Sequence, residues 1–283
     1  MFPDFEEVVA ELEGEGEPLE EHNSSFDNNI GTSSLAVYDF QGGKAVKKSN
    51  SNKNRQNVIT AAAQYILFEH EGDFGQKSLD WPEIPTTRLG DEAGNSIITE
   101  FKGDNPITIN EYAQKYSSQA VEVDPDSIHR SFAYKLFLGD GDTAPGNTVL
   151  DNPEDISGSE NLSAYPVDTE GAGNSLLGDV SEGSEFDYRI SELIDSYRKR
   201  MEMADVELDV GKLLDYSSEL SEVFFSEGVN DKAYESMIKD ADVRDSGIKE
   251  NALLLDSMAK SGYSFGSISD VKEFMNEEYE CLI

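Results

Sequence analysis

The feature that most restricts the fold of this chain is a change of hydrophobic period near residue 103. Between residues 31 and 102, short apolar runs are separated by glycine-containing turns, a pattern typical of β-hairpins. After residue 103, apolar residues recur at intervals of three and four, as they do in amphipathic helices packed on a core. The sequence therefore predicts an α+β fold in which a β-rich part precedes a helical part.

The β-rich part is predicted to contain two hairpins with a helix between them. The first hairpin covers residues 31–48 and turns at Gln41-Gly42-Gly43, and the second covers 84–102 and turns at 90–95. Apolar residues over 55–69 indicate the helix. Ahead of these elements, residues 4–21 place apolar residues among many acidic ones, which predicts a short amphipathic helix and an acidic loop.

The helical part shows its boundaries through caps and glycines. Asp126 is expected to cap a helix that ends at Gly139. Apolar stripes within 186–201, 210–224 and 248–258 predict three further helices. Asp270-Val271-Lys272-Glu273 resembles a capping box that opens a last short helix. The absence of any visible repeat argues against a solenoid or a propeller.

The charge of the chain narrows its partners. It has 58 acidic against 22 basic residues, a formal net charge of −36. Such a surface repels phosphate backbones and anionic lipid, so neither nucleic acid nor a membrane surface is expected as a partner. The acidity runs along the whole chain and resembles that of proteins from extreme halophiles, in which carboxylates keep the surface solvated in high salt. The alternative is an acidic protein from a mesophile.

The remaining composition excludes several kinds of site. A single cysteine, Cys281, rules out an internal disulfide and a thiolate zinc cluster. Three scattered histidines are too few for a histidine-based metal site. No apolar run is long enough to span a membrane, and no basic residue precedes Lys44, so we expect neither a membrane segment nor a signal peptide. The expected location is cytoplasmic.

The chemistry-bearing residues follow the helix that ends at Gly139. Phosphoryl transfer needs a carboxylate near the attacking hydroxyl and oxygen ligands for magnesium. Asp142 and Asn147 lie five residues apart across a Pro-Gly turn and could supply the base and one metal ligand. Asp168, at the end of a predicted short strand, could supply the second ligand. Asp140 is an alternative base, but its position seven residues before Asn147 favours a role in capping the loop.

These residues resemble the catalytic core of the protein-kinase-like superfamily. Asp142 and Asn147 match the Asp-x-x-x-x-Asn catalytic loop, and Val167-Asp168-x-x-Gly171 resembles the metal-binding segment that follows it. The two segments are similar in wording to aminoglycoside and choline phosphotransferases. The helix that leads directly into the loop is more similar to the phosphoinositide 3- and 4-kinase-like branch. The spacing by itself is unspecific, and the order of parts over residues 28–175 carries the resemblance.

The resemblance also implies nucleotide-binding residues. Gly31 and Ser33 would belong to a loop that covers the phosphates, and Lys47 would contact the α- and β-phosphates. Ile98-Thr99-Glu100-Phe101-Lys102-Gly103 resembles the hinge between two lobes, and its backbone would face adenine. The implied architecture is a two-lobed protein-kinase-like fold. It has an acidic N-terminal helix and loop over 1–27, a β-rich nucleotide-binding N-lobe over 28–102, and a helical C-lobe with the catalytic loop over 103–283.

The resemblance implies a phosphotransferase that uses ATP and Mg²⁺ to move the γ-phosphate to a hydroxyl of a small molecule or a protein. One feature departs from the family. The helix after Lys47 offers Gln56 and Gln64, but no acid before Glu69 that could pair with the lysine. Two alternatives stay open. The chain could be a catalytically silent kinase-like module that binds a nucleotide or a protein as a scaffold, or a nucleotidyl transferase on the same fold.

Overall fold

The structure of the protein is a computed structural model, which describes residues 34–40, 43–49, 54–68, 79–90, 95–101, 106–116, 121–151, 161–167, 169, 172–177, 189–225 and 247–277. The predicted amphipathic helix over 4–21 lies outside these ranges, as do Gly31, Ser33, Asp168 and Gly171.

Two hairpins build the first sheet, as the sequence predicts. Its strands are β1 (Ser34–Phe40), β2 (Gly43–Ser49), β3 (Thr87–Leu89) and β4 (Ser96–Phe101). They are arranged in the order β1-β2-β4-β3, and every neighbouring pair is antiparallel. The second hairpin is shorter than predicted, because Ile84, Pro85 and Thr86 precede the first paired residue of β3.

The helix between the hairpins, α1 (Asn54–Phe68), lies between the first sheet and the helical part of the chain. It contacts β3 and β4 on one side and a later helix, α5 (Val210–Phe225), on another. Its buried apolar residues therefore surround the helix and do not form a single stripe (Val58, Ile59, Ala61, Ala62, Ala63, Ile66 and Leu67). A helix that is apolar on several faces belongs in the interior, and α1 is the layer that joins the two parts.

A second, smaller sheet frames the candidate loop. Strands β5 (Ile107–Thr108), β6 (Thr148–Leu150) and β7 (Ala164–Pro166) are antiparallel and lie in that order. Thr148 pairs with Pro166, so the chain that leaves the loop at β6 runs beside the chain that leads to Asp168. The short strand predicted before Asp168 is β7, the last strand of this sheet.

The remaining described elements are helical. They are α2 (Ile109–Lys115), α3 (Pro125–Leu138), α4 (Arg189–Met203), α5 as given above, α6 (Gly247–Lys260) and α7 (Ile268–Glu277). The three predicted apolar stripes are the buried faces of α4, α5 and α6. Seven α-helices and two small antiparallel sheets in the described ranges confirm the α+β class. None of the helices described there is long and apolar enough to cross a bilayer.

Helix α3 is the centre of the helical part. Eleven of its 14 residues are buried, and it contacts α4, α5, α6 and β7. Among the buried residues are two with basic side chains, His129 and Lys135. Because burial disfavours a charge that lacks a partner, the partners of these two residues are informative about the fold.

Two predicted helix caps are wrong by a few residues. Asp124, and not Asp126, caps α3: its carboxylate accepts hydrogen bonds from the amides of Asp126 and Ser127. Pro125 then occupies the first helical turn, where its missing N–H leaves no bond unmade. At α7, Ser267 is the capping residue and Asp270 is the acid that bonds back to the Ser267 amide at 2.7 Å.

Candidate functional site

The candidate loop begins where α3 stops at Gly139. The amide of Gly139 donates to the carbonyl of Leu136, and the amide of Asp140 donates to the carbonyl of Lys135. This pattern is a Schellman motif, which needs a left-handed residue after the helix, and Gly139 has a φ of 66°. A side chain at Gly139 would also collide with the backbone of Asn174. The glycine therefore turns the chain at a fixed point.

Asp140, the first acid of the loop, is completely buried against Lys135. Its Oδ2 atom lies 3.2 Å from the Nζ atom of Lys135, and the two side chains are 0% and 1% exposed. Burial raises the pKa of the Asp140 carboxyl, and the charge of Lys135 acts in the opposite direction. A carboxylate enclosed in this way cannot reach a substrate, which fits the structural role that the spacing favours for Asp140.

Asp142 is the exposed acid of the same loop. Its Oδ1 atom accepts a hydrogen bond from the amide of Ala144 at 3.2 Å, and the rest of its side chain faces solvent. Its own amide donates to Oδ1 of Asp140 at 3.0 Å. The loop thus holds one acid inside and presents the next one at the surface.

The structure brings Asn147 next to Asp142. A 3₁₀ turn at Pro145–Asn147 closes the loop, and the Nδ2 atom of the buried Asn147 donates to the Asp142 carbonyl at 3.4 Å. The same side chain carries Oδ1, an oxygen of the kind that magnesium binds. The backbone carbonyl of Asn147 accepts from the amide of Val167, the residue before Asp168.

Asp168 itself lies outside the described residues, so its role as a metal ligand stays a prediction. Within the described ranges, no three His, Cys, Asp or Glu side chains form a cluster that could hold a metal ion. The donor set proposed for magnesium is the amide oxygen of Asn147 with the carboxylate of Asp168. Both are oxygen ligands that suit this ion.

The segment after Asp168 packs on helix α1. The Thr169 hydroxyl donates to the Thr60 hydroxyl at 3.2 Å, and the Thr60 hydroxyl lies 3.5 Å from the Thr169 carbonyl. Gly173 has a φ of 87°, and a side chain there would reach 2.5 Å from Cδ1 of Ile59. Gly173 thus allows the chain after Asp168 to turn close to α1, while Gly171 lies outside the described residues.

Lys47 lies on the face of the first sheet that is turned towards α1. It is directly opposite Ile98, which is directly opposite Arg88, so these three side chains share one face. Arg88 reaches α1 on that side, because its Nη1 atom donates to Oε1 of Gln64 at 3.2 Å. Lys48 lies on the other face of β2.

Glu100 is engaged with the neighbouring strand. Its amide donates to the carbonyl of Thr86 at 2.8 Å, and its Oε2 atom accepts from the Thr86 amide at 3.4 Å. These bonds hold the start of β3 against β4. The assignment of Glu100 to nucleotide binding stays a prediction, as do the assignments of Gly31 and Ser33, which lie outside the described residues.

Sequence inspection missed three contacts that shape this region. They are the pairing of Lys135 with Asp140, the contact between Thr60 and Thr169, and the bond from Arg88 to Gln64. Only the first left a signal. Lys135 interrupts the otherwise apolar run Phe132–Leu138, and a lone cation in such a run needs a buried acid.

Comparisons with known proteins add little to this geometry. No protein-family model and no curated protein matches the chain. Among solved structures, the chain is similar to one described as WaaP in complex with acyl carrier protein, at 11% sequence identity and a TM-score of 0.32. That alignment covers 93% of this chain and 98% of the other. The function therefore has to be argued from the residues of this chain.

Proposed function

We propose that this protein is a phosphotransferase with a two-lobed protein-kinase-like fold, which uses ATP and Mg²⁺ to phosphorylate a hydroxyl group. The observation that carries the proposal is the loop between α3 and β6. It presents the exposed carboxylate of Asp142 and ties Asn147 to the carbonyl of that same residue. An exposed acid beside an amide oxygen is the pair that phosphoryl transfer needs for the acceptor and the metal.

The order of elements supports the same function. The lysine-bearing strand β2 is followed by α1, by the hairpin of β3 and β4, and then by α3, the loop, β6 and β7. The contact between Thr60 and Thr169 links the helix after Lys47 to the residue after Asp168. The strand lysine and the metal-binding segment would thus be connected through α1.

Each residue then has one task. The Asp142 carboxylate accepts the proton of the acceptor hydroxyl, which becomes the attacking oxygen. Asn147 and Asp168 would hold the metal, and Lys47 would contact the nucleotide phosphates. When bound, ATP would supply the phosphoryl group, and Mg²⁺ would neutralise part of the negative charge on the phosphates. The acceptor is the hydroxyl of a small molecule or a protein.

Two aspartate variants test the proposal by calorimetry with ATP, with and without magnesium. Asp168→Asn should weaken the magnesium-dependent binding of ATP, because a neutral amide replaces a charged ligand. Asp142→Asn should leave that binding intact and lower the transfer of labelled γ-phosphate by a factor of about 10²–10⁴. The exposed Asp80 is the matched control, and Asp80→Asn should change neither quantity.

A lysine pair tests the nucleotide contact. Lys47→Ala should weaken ATP binding by more than about 1 kcal/mol, the scale of a charge-assisted contact. Lys48→Ala, on the other face of the same strand, should change it little. Equal effects would contradict the assignment of Lys47.

The open alternatives are distinguished by the same assays. Transfer of label from α-labelled ATP, without transfer from the γ-position, would identify a nucleotidyl transferase. An affinity for ATP that changes neither with magnesium nor with the two aspartate substitutions would instead identify a scaffold.

A further inference from the structure

The buried pair of Lys135 and Asp140 takes no part in the proposed reaction, but both side chains contact the backbone of Asp142, the proposed base. Oδ1 of Asp140 accepts a hydrogen bond from the amide nitrogen of Asp142 at 3.0 Å. Lys135 places its Nζ atom 3.5 Å from the carbonyl oxygen of Asp142. One charged pair therefore holds both backbone polar groups of the proposed base.

Other contacts fix the loop around this pair. The hydroxyl of Tyr197 on α4 lies 3.4 Å from the carbonyl of Asp140, and Nε of Arg200 donates to the carbonyl of Thr143 at 2.8 Å. Asn147 adds its bond to the Asp142 carbonyl from the other end of the loop. The backbone from Asp140 to Thr143 is thus held at successive residues.

Stability alone does not account for the pair. Taking two charges out of water costs about as much as their attraction returns, so an apolar pair of similar size is often as stable. Lys135 and Asp140 are both buried, and the Tyr197 hydroxyl of α4 lies close to the Asp140 carbonyl. What an apolar pair could not provide is an acceptor for the Asp142 amide and a donor for its carbonyl.

We infer that Lys135 and Asp140 are positioning residues that fix the backbone of Asp142 and so aim its carboxylate at the acceptor hydroxyl. The inference rests on the proposed phosphotransferase function. Displacing a reacting group by about 1 Å can lower a rate by about 10²-fold. Loss of the pair should therefore lower the rate of transfer without weakening nucleotide binding.

Two double variants separate positioning from folding. The first variant combines Lys135→Met with Asp140→Leu and is called the Met/Leu variant; it removes both charges and both contacts to Asp142, and an apolar pair of similar size takes their place. The second variant combines Lys135→Met with Asp140→Asn and is called the Met/Asn variant; it removes the charges but keeps an oxygen acceptor for the Asp142 amide. The control is Arg130→Met with Glu83→Gln, which removes the charged pair between Arg130 of α3 and Glu83.

The readouts are hydrogen exchange of the Asp142 amide, calorimetry with Mg²⁺-ATP, and single-turnover release of labelled phosphate from γ-labelled ATP, in which water takes the place of the acceptor hydroxyl. We expect the Met/Leu variant to lose exchange protection at Asp142 and to release phosphate at least about tenfold more slowly. Its dissociation constant for Mg²⁺-ATP should stay within about twofold of the wild-type value, since no nucleotide contact is changed. The Met/Asn variant should regain protection and most of the rate.

Two outcomes overturn the inference by different routes. If the wild type neither binds Mg²⁺-ATP nor releases phosphate from it, the proposed function fails and the positioning role fails with it. If the wild type is active and the Met/Leu variant is equally fast, the function stands and the positioning role is wrong. Should the Met/Leu variant not fold, the wild-type protein still decides: an Asp142 amide that exchanges at the rate of an open chain contradicts the inference.

Discussion

Helix α3 carries two cationic side chains whose acidic partners differ in burial and in distance along the chain. In the second turn of α3, Nη1 of Arg130 donates to Oε1 of Glu83 at 3.0 Å, and Glu83 lies 47 positions earlier in the chain. In its last turn, Lys135 pairs with Asp140, only five positions later. The Arg130 side chain is 28% exposed, whereas that of Lys135 is 1% exposed.

The surroundings of the two pairs differ as much as their burial. Arg130 lies over the rings of Trp81 and Tyr216, 5.8 and 5.1 Å from their centroids. It therefore connects the segment after α1 to α3 and α5, with aromatic faces that attract the cation even without Glu83. Lys135 holds the loop that directly follows its own helix. The first pair fastens distant parts of the fold, and the second shapes a local backbone.

The largest expected effect is the loss of one charge from the deeper pair. Lys135→Met leaves the Asp140 carboxylate buried without a counter-charge, which should lower the free energy of unfolding by about 3–5 kcal/mol. Urea unfolding in molar potassium chloride measures the change. Lys199→Met, which removes an exposed pair with Asp195, is the control and should cost no more than about 1 kcal/mol. Equal losses from both variants would contradict the difference in burial.

A smaller loss is expected at the other pair. Glu83→Gln keeps the shape of the side chain, and Arg130 keeps its aromatic contacts and part of its hydration. We expect the free energy of unfolding to fall by about 1.5–3 kcal/mol, the scale of a hydrogen bond to a charged group. The exposed Glu122 supplies the control, Glu122→Gln, measured in the same unfolding series. A loss larger than that of Lys135→Met would reverse the comparison.

The comparison also shows which features a sequence can reveal. Hydrophobic period was enough to predict both hairpins of the first sheet and the stripes of α4, α5 and α6, because period depends only on which face is buried. The proximity of Asp142 and Asn147 follows from a five-residue spacing across a turn. The local pair of Lys135 and Asp140 left a trace in one apolar run.

Contacts between distant segments left no such trace. Nothing near Glu83 in the sequence indicates Arg130, because that pairing depends on how α3 packs against the segment after α1. The predictions of the two helix caps were wrong for a more local reason. Asp124 and Asp126 flank the same proline, and the preference of proline for the first helical turn was the signal that favoured Asp124.

A third prediction concerns the N-terminal end of the same helix, where His129 is buried. Its Nδ1–H donates to the carbonyl of Pro125 at 2.5 Å, and its Nε2 atom accepts from the amide of Asp209 at 3.0 Å. Both bonds require the neutral ring. Burial lowers the pKa of the imidazole below its ordinary value, and the charge of Lys212 acts in the same direction.

The sign of the pH effect follows from that lowered pKa. The unfolded chain binds a proton at His129 more readily than the folded chain, so this contribution to stability is present above about pH 6.5 and is lost as the pH falls. Urea unfolding at several pH values between 5 and 8 should show wild type losing more stability towards acid than His129→Gln. Parallel curves would mean that His129 has the same pKa in the folded and the unfolded chain.

The smallest expected effect is the response of the two α3 pairs to salt. All variants should melt at higher temperature in molar potassium chloride than in dilute buffer, since salt screens the repulsion within a chain of net charge −36. A flat melting temperature would contradict the likeness to halophilic proteins.

The two ion pairs of α3 should respond to salt differently from each other. Salt should weaken the coupling between the partly exposed Arg130 and Glu83 by a few tenths of a kcal/mol. The coupling between Lys135 and Asp140, which solvent ions cannot reach, should stay constant, and double-mutant cycles at the two salt concentrations measure both couplings. A coupling that falls equally at both pairs would mean that water enters beneath the loop, and that Asp142 is held less firmly than its hydrogen bonds indicate.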